Sequence, residues 1–491
     1  MRKPHRAFRP RPAVASAAVA VAALALAPAA ARAQGAPAAP APRIKAVRCY
    51  SGCLSKRTVV AGGRVEIRGR GLAAGMRAVF PVRAAGVAAA RSAKTRATRR
   101  GTLIARVPRD ARTGKLFVQV PDGARSNGAK VKVARGTASG ARPRGNTPFD
   151  GNGMWIWYVS KSSGGDLQSI VAMARAHDVG TVFVKSGDGS SYWDQFSPEL
   201  VSALKAGGLD VCAWQFVYGN SPATEASLAA KAVRTGADCF VIDAEGQYER
   251  KYSQAGTYVS RLRAAVGPDY PIGLAGFPYV DYHPSFPYSV FLGPAGAQYN
   301  VPQAYWKDIG GSVDAVLAHT YRFNRPYGRP IFPLGQLYQS PSSRDIKRFR
   351  QVAAAQGSTG VSWWDWQEAS AKSWDAVGGP LGPFAGPPPP TDYALLAKGS
   401  KGDLVLWAQE HLRAAGQAPP VDGGFDAATQ DAVVSFQAAS GLPPTGQVDT
   451  ATWDALLRYS PGSTAPAKRV GKAGGSTAPA KRAEISPPGE R

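Results

Sequence analysis

The sequence has few histidines and cysteines and few long apolar runs. Of its 491 residues, five are His and four are Cys, and their spacings match no metal site. We therefore expect neither a metal nor a cofactor. Beyond the first 33 residues, no apolar stretch approaches the ~20 residues of a membrane-spanning helix.

Acidic residues are scarce near the front of the chain. Residues 41–150 contain 25 Lys or Arg and 4 Asp or Glu, whereas residues 150–380 contain 19 and 20. Such a basic segment can attract anionic wall polymers, nucleic acid or lipid head groups, and the basic tail at 459–491 can likewise attract wall polymers. A merely soluble, Arg-rich surface is the alternative. No aromatic or base-reading module accompanies the basic residues, so we expect no nucleic-acid partner.

The first 33 residues follow the pattern of an export signal. A basic start precedes an apolar run at 13–27, and Ala31 and Ala33 form a small-x-small cleavage site. We therefore expect a secreted, extracellular protein. An uncleaved membrane anchor is the alternative.

The four cysteines fit an exported chain. Cys49 and Cys53 are close enough in sequence to form a disulfide, which an oxidising compartment favours. Cys212 and Cys239 fall on neighbouring predicted strands and are interpreted as buried thiols.

Linkers at 34–42 and 136–149 flank a front segment at 43–135 in which short β-like runs alternate with Gly turns. Six or seven such strands predict a β-sandwich. The Gly-rich turn at 68–72 and the final run at 126–133 resemble the IPT/TIG immunoglobulin-like domain. That resemblance implies a spacer or adhesion module.

Residues 150–377 alternate between strand-like apolar runs and amphipathic helix-like segments. This alternation predicts a parallel sheet, and eight units over this length predict a TIM-type (β/α)8 barrel. An open doubly wound sheet is the alternative. The candidate strands are 154–159, 181–185, 210–216, 239–243, 272–275, 299–304, 331–334 and 360–364.

The run at 239–242 ends in two carboxylates, Asp243 and Glu245. Residues two apart on a strand point to the same side, and barrel enzymes place their chemistry at the carboxyl ends of strands. Because two neighbouring carboxylates cannot both ionise freely, one tends to stay protonated and can serve as an acid. In the structural alternative, Asp243 caps the next helix and Glu245 is solvated.

Other polar and aromatic residues fall at or just after the predicted strand ends. Aromatic faces stack on pyranose rings, while amides and carboxylates bind hydroxyl groups. The pattern therefore predicts a sugar-binding mouth. Its candidate substrate-binding residues are Lys185, Gln215, Tyr218, Gln303, Tyr305, Trp306, Trp364, Asp365 and Trp366. Candidates for a third carboxylate are Asp188, Asp194 and Asp365.

The runs at 181–185, 208–216 and 240–245 resemble, in this order, glycoside hydrolase family 25, the Chalaropsis-type lysozymes. The resemblance implies that Glu245 is the general acid/base. It also implies that Asp243 is the paired carboxylate, which supports attack by the N-acetyl group of muramic acid.

This sequence departs from the family pattern in two places. The first strand, at 154–160, lacks the family's Asp, and the run Trp214-Gln215-Phe216 lacks its His. A non-hydrolysing relative and a different barrel glycosidase are therefore the two alternatives to an active family 25 enzyme.

A Pro/Gly linker at 378–393 precedes a small helical unit at 394–458. Its spaced elements, including 421–425 and 448–453, resemble the peptidoglycan-binding domain type 1. That resemblance implies binding to wall glycan or stem peptide. Apolar residues at helical spacing predict its core: Leu404, Trp407, Leu412, Val433, Phe436, Trp453 and Leu456. Residues 459–491 are predicted to be a disordered basic tail.

Together these parts predict an exported, wall-associated monomer that binds peptidoglycan. The first hypothesis is a retaining, muramidase-like glycosidase, with Glu245 as proton donor and Asp243 stabilising charge at the anomeric carbon. The second is a non-catalytic wall protein whose barrel only holds glycan. The third is a basic adhesin whose front domain binds anionic polymer.

Overall fold

The computed structural model describes residues 41–84, 87–134 and 147–462. The predicted export signal lies outside these residues, as do most of the two linkers that flank the front domain and most of the basic tail. Within the described residues, no helical stretch combines the length and hydrophobicity that a membrane span requires.

Seven strands build the front domain: β1 (Arg43–Ser55), β2 (Thr58–Arg70), β3 (Arg77–Ala84), β4 (Val87–Ala97), β5 (Leu103–Arg106), β6 (Gly114–Gln119) and β7 (Ala129–Ala134). They pair in the order β1-β2-β5-β4-β3-β6-β7, and β7 also pairs with β2. Six of the strands therefore close into a ring around an apolar core. This ring differs from the predicted sandwich of two separate sheets.

Two glycines allow β2 to pair with two different strands along its length. Residues 58–60 pair with β7, whereas residues 64–67 pair with β5. Between them Gly62 has a φ of 93°, and a Cβ on Gly63 would lie 2.6 Å from the carbonyl oxygen of Ser51. A bend that only glycine permits thus closes the ring.

The central domain contains eight parallel strands: β8 (Gly151–Ile156), β9 (Val179–Asp188), β11 (Asp210–Val217), β12 (Cys239–Ala244), β13 (Ile272–Ala275), β14 (Tyr299–Asn300), β15 (Leu334–Gln336) and β16 (Gly360–Trp364). They pair in the order β14-β13-β12-β11-β9-β8-β16-β15. Parallel bridges from Asn300 to Ile331 and from Gln303 to Leu334 join the two ends of this series. A short strand, β10 (Ser191–Tyr192), forms a hairpin with the end of β9.

Helices follow each of these strands and cover the outside of the sheet: α1 (Leu167–Ala176), α2 (Pro198–Ala206), α3 (Pro222–Arg234), α4 (Tyr252–Val266), α5 (Tyr288–Phe291), α6 (Trp306–Ile309), α7 (Val313–Asn324), α8 (Ser343–Ala355) and α9 (Ala371–Gly378). Ser197 and Ser342 cap α2 and α8 through their side chains. The predicted multidomain order, with a barrel-like parallel sheet and a C-terminal helical unit, is confirmed.

Alternation along the strands separates the inside of the barrel from the helix layer. The interior is filled by large rings, namely Phe149, Trp155, Phe183, Trp214, Phe332 and Trp364. The residues between them on each strand pack outward against the helices. The interior is therefore a packed core, which leaves the mouth at the carboxyl ends of the strands for a ligand.

Both cysteine pairs form disulfides. The interpretation of Cys212 and Cys239 as free thiols is wrong, because they lie opposite each other on β11 and β12 with Cα atoms 4.6 Å apart. Cys49 and Cys53 close a tight loop in β1. The backbone nitrogen of Cys53 in that loop donates to Ser169 Oγ in α1 at 2.9 Å, which attaches the front domain to the barrel.

Helices α10 (Asp403–Ala414), α11 (Ala427–Ala439) and α12 (Thr450–Leu456) form the C-terminal domain. Its predicted core residues are all buried, and they belong to the same apolar cluster as the outer layer of the barrel. The linker at 378–393 does not hold this domain away from the barrel. Trp407 Nε1 donates to Pro326 O at 2.7 Å, so α10 packs directly on the barrel surface.

Candidate active site

The inner face of β12 carries the candidate acid pair. Cys239 and Val241 on this strand belong to the interior cluster, whereas Ile242 packs toward the helices. By the same alternation Asp243 and Glu245 point inward at the carboxyl end of the strand. They are only 6% and 7% exposed, and two adjacent buried acids are a site where proton affinities are strongly perturbed.

A single amide joins the two acids. Gln303 Nε2 donates hydrogen bonds to Asp243 Oδ1 and to Glu245 Oε1, each at 3.0 Å. The two acceptor oxygens are therefore separated by at most twice that distance. The backbone of Gln303 is itself fixed, because its nitrogen donates to Gly276 O and it bridges to Leu334.

Burial raises the pKa of both acids. It raises the pKa of Glu245 to about 7, against the hydrogen bond from Gln303, which lowers it. Burial also raises the pKa of Asp243 well above its usual range, the charge of Glu245 adds to this effect, and the charge of Lys185 opposes it. Both acids therefore bind a proton more readily than exposed carboxyl groups do, chiefly because they are buried.

Lys185 provides the positive charge beside the acid pair. It is 3% exposed, and its Nζ atom lies 2.6 Å from Asp188 Oδ2. Asp188 Oδ1 in turn accepts a hydrogen bond from the Tyr218 hydroxyl at 2.9 Å. The charge of Asp188 raises the pKa of Asp243, so this candidate third carboxylate does reach the site electrostatically.

Three indole rings surround the ammonium group of Lys185. Its Nζ atom lies 4.8 Å from the ring centre of Trp157, 4.5 Å from that of Trp193 and 4.9 Å from that of Trp214. Cation–π attraction stabilises a buried lysine that would otherwise be costly. Sequence reasoning missed Trp157 and Trp193. Strand alternation counted from Trp155 could have predicted that Trp157 also faces the site. The position of Trp193, in contrast, depends on the hairpin between β10 and β9.

Tyr305 and Tyr338 also lie near the acid pair, and, in addition to burial, the charge of Glu245 raises the pKa of both phenols. Burial raises the pKa of Tyr305 far above its usual range, and the charges of Asp243, Glu245 and Asp365 add to the effect. The rings of Tyr305 and Tyr338 meet edge to face with centres 5.5 Å apart. Both phenols therefore remain neutral hydroxyl groups near the acids.

Trp364 and Asp365 close the mouth at the end of β16. The Trp364 ring packs against Trp155 and Trp214, with ring centres 5.7 and 5.3 Å away. Asp365 is 1% exposed, and burial raises its pKa to about 7. Its Oδ1 atom accepts from the backbone nitrogen of Glu368 at 3.2 Å, while Oδ2 has no hydrogen-bond partner among the described residues.

Two predicted aromatic contacts lie outside the mouth. Trp306 is buried against Phe349 of α8, with ring centres 5.3 Å apart. Trp366 packs on Trp374 of α9, with ring centres 4.7 Å apart. Both rings belong to the helix layer, so the structure corrects their predicted placement at the sugar site.

Gln215 also faces away from the mouth. Its Nε2 atom donates to Gly189 O at 2.8 Å, and its Oε1 atom accepts from the Tyr258 hydroxyl of α4 at 3.5 Å. Its neighbours Trp214 and Phe216 point into the barrel. Strand alternation therefore places Gln215 in a structural role and corrects its predicted contact with substrate.

The remaining candidate carboxylate, Asp194, is exposed. Within the described part of the chain, no group of three or more His, Cys, Asp or Glu residues could hold a metal ion. The predicted side chains that the structure brings together at the mouth are Asp243, Glu245, Gln303, Tyr305, Lys185, Asp188, Tyr218, Trp364 and Asp365.

The family model of a peptidoglycan binding domain matches residues 401–456, which confirms the prediction for the C-terminal domain. A peptidoglycan-binding protein from Clostridioides difficile is 40% identical over a match of 13% of this chain and 40% of that chain, with a TM-score of 0.13. The match thus spans less than half of that protein. No curated protein matches the chain.

Glycoside hydrolases occur among the solved structures that are similar to this chain. A chitinase from Chromobacterium violaceum is 12% identical, and the match covers 46% of this chain and 98% of that chain with a TM-score of 0.34. A family 25 glycosyl hydrolase from Bacillus anthracis is 16% identical. The match covers 32% of this chain and 70% of that chain, with a TM-score of 0.24. The resemblance of the front domain to IPT/TIG domains stays a prediction.

Proposed function

We propose that this protein binds cell-wall peptidoglycan and hydrolyses a glycosidic bond of its glycan at the barrel mouth. The observation that carries this proposal is the pair of buried acids, Asp243 and Glu245, held by one amide of Gln303. The match of residues 401–456 to a peptidoglycan binding domain supports the choice of polymer.

Glu245 is the proton donor in this proposal. A general acid works best when its pKa is close to the working pH, and burial raises the pKa of Glu245 to about 7. Its proton passes to the glycosidic oxygen as the bond between that oxygen and the anomeric carbon breaks. The leaving sugar thereby departs as a neutral alcohol.

Asp243 stabilises the positive charge that develops on the other sugar. Inverting enzymes separate their carboxyl groups by about 6.5–9.5 Å and retaining enzymes by about 5–5.5 Å. The shared Gln303 amide holds the two acids close together, which favours retention. In the substrate-assisted route, the oxygen of the substrate's acetamido group forms a bond to the anomeric carbon. Asp243 meanwhile accepts a hydrogen bond from the N–H of that acetamido group. Water then displaces that oxygen and gives its proton to the Glu245 carboxylate.

The rings around the acids fit a sugar polymer. Trp157 and Trp193 lie beside Lys185, and Tyr305 lies near the acids. Aromatic faces bind the apolar faces of pyranose rings, while the hydroxyl groups of Tyr218 and Tyr305 can bind polar substituents. The peptidoglycan-binding domain increases the local concentration of wall polymer near this mouth.

The test measures reducing ends released from purified peptidoglycan by the wild-type protein and by Glu245→Gln. We expect release by the wild type and a loss of about 10²–10⁴-fold in the variant, the usual contribution of a general acid. Equal rates for the two proteins would overturn the proposal. Asp269→Asn, on an exposed residue of the connection between α4 and β13, is the control and should retain full activity.

A second candidate function is glycan binding without hydrolysis. It is favoured by β8, which contributes Trp155 to the barrel interior and contains no carboxylate. This alternative predicts that the wild type pellets with insoluble peptidoglycan but releases no reducing ends. Pelleting would then survive Glu245→Gln and would fall when residues 391–458 are deleted.

A further inference from the structure

The front domain carries a basic groove that is separate from the barrel mouth. It has a volume of about 620 Å³. The residues that line it are Ala46, Val47, Arg48, Lys56, Arg57, Lys130 and Lys132. Five of these seven side chains are cationic, and none is acidic or aromatic.

The groove forms because the turn after β1 lies beside β7. Lys56 and Arg57 occupy the turn between β1 and β2. Thr58 at the start of β2 is the parallel partner of Lys132 on β7. The sheet therefore brings Lys130 and Lys132 next to basic residues that lie more than 70 positions earlier in the chain.

The lysines of β7 project outward by strand alternation. Val131 and Val133 on the same strand are buried in the front-domain core, whereas Lys130 and Lys132 are exposed. These lysines can consequently be changed without removing a core contact. The role of the groove in binding can therefore be tested directly by substituting these lysines.

Internal carboxylates do not neutralise the groove. Within the described residues, none of its five cations forms an ion pair with an acid. Glu66 lies opposite Arg48 in the β1–β2 pairing, but it pairs with Arg68 at 2.8 Å. Like charges grouped in this way repel one another, and a bound anion relieves that repulsion.

We propose that this groove binds a linear anionic polymer whose repeating units carry phosphate or carboxylate groups. Several cations along one groove match an array of anionic oxygens better than a single small anion, and Lys and Arg both donate hydrogen bonds to such oxygens. The lack of an aromatic side chain removes the stacking platform that single-stranded nucleic acids use.

The test uses the full chain and two defined probes, polyphosphate and poly-glutamate. Binding is measured by fluorescence anisotropy at low and at high salt. We expect Lys130→Gln/Lys132→Gln to weaken binding at low salt by about tenfold or more. Binding by this double variant should also depend less steeply on salt than binding by the wild type, because fewer counterions are exchanged. The probe that binds more tightly identifies whether phosphate or carboxylate is preferred.

The matched control is Arg99→Gln/Arg100→Gln, which removes the same charge from the exposed turn between β4 and β5. Equal weakening by the control would overturn the proposal, because net charge alone would then explain binding. Equally tight binding of duplex DNA with the same variant effect would assign the groove to nucleic acid and would also overturn it. Circular dichroism of both variants checks that the fold is retained.

Discussion

Gln303 donates a hydrogen bond from Nε2 to Glu245 Oε1 at 3.0 Å, and this contact stabilises the ionised form of the acid. Burial acts in the opposite direction and dominates, so the pKa of Glu245 rises to about 7. The Gln303 amide and the buried surroundings thus jointly set the proton affinity of Glu245, the candidate catalytic acid.

Activity is expected to fall as the pH rises through 7. The proposed acid must be protonated, and Glu245 with a pKa of about 7 is protonated below that pH and ionised above it. The measurement is kcat/KM for soluble peptidoglycan fragments between pH 5 and 9. An alkaline limb in which activity already declines steadily from pH 5 upward, as expected for the usual Glu pKa of about 4.3, would contradict the assignment.

Gln303→Met is expected to shift this alkaline limb to higher pH and to lower kcat. The substitution keeps an unbranched side chain but removes the donor, and the lost hydrogen bond had lowered the pKa of Glu245. The measurement is again the pH profile of kcat/KM. Gln447→Met, on an exposed residue, is the control and should leave the profile unchanged. An unshifted profile in Gln303→Met would show that the amide does not act on the acid.

Asp403→Ala is expected to destabilise the packing of the C-terminal domain on the barrel. Asp403 is fully buried and accepts hydrogen bonds from the nitrogen and hydroxyl of Ser289 and from the Tyr327 hydroxyl, at 2.8, 2.7 and 2.9 Å. Buried donors left unsatisfied cost about 1–3 kcal/mol each. We expect a loss of about 3–5 kcal/mol in the free energy of unfolding, measured in urea.

The exposed Asp431→Ala on α11 is the control for this loss. A surface substitution of this kind should change stability by less than about 0.5 kcal/mol. An Asp403→Ala protein as stable as this control would contradict the proposed role of the contact.

The C-terminal domain should become less stable as the pH falls from about 6.5 toward 4. His411 is buried, and desolvation lowers its pKa to about 4. Because the unfolded chain binds the proton at higher pH than the folded chain, stability is present above the unfolded pKa and is lost as the pH falls. The loss amounts to about 3 kcal/mol over this window.

Urea unfolding of the wild type and of His411→Gln between pH 4 and 7 measures this dependence. The variant should be less stable at pH 7 and should show a shallower decline toward low pH. Parallel declines in the two proteins would assign the acid sensitivity to other groups. His411→Gln also removes the hydrogen bond between Nδ1 and Leu456 O, so only the slope with pH is diagnostic.

Local patterns in the sequence predicted much of the fold. Each strand of the central domain overlaps its predicted range, because each lies in a short apolar run. The overlap is small for β14, which spans only Tyr299–Asn300 of the predicted 299–304, and for β15, which shares only Leu334 with the predicted 331–334. The C-terminal domain was predictable for a related reason, since its core residues recur at helical spacing and all are buried. Strand period also placed Asp243 and Glu245 on one face.

The candidate site was only partly predictable. The end of a strand indicates that a residue lies near the mouth, but not whether its side chain faces the barrel or the helices. That distinction separates Tyr305, which faces the acids, from its neighbour Trp306, which packs on α8. The pairing of Cys212 with Cys239 likewise depended on the register of two strands.

The sequence by itself determined where the two acids sit along the chain, because strand alternation and buried apolar runs are local properties. Only the tertiary structure decided that Gln303, about 60 residues later, joins the acids through one amide, with Lys185 supplying a positive charge beside them. It also decided that the basic groove of the front domain combines residues of β1 and β7. Contacts of this kind depend on strand register and ring closure, and residues far apart in sequence carry no local signal of either.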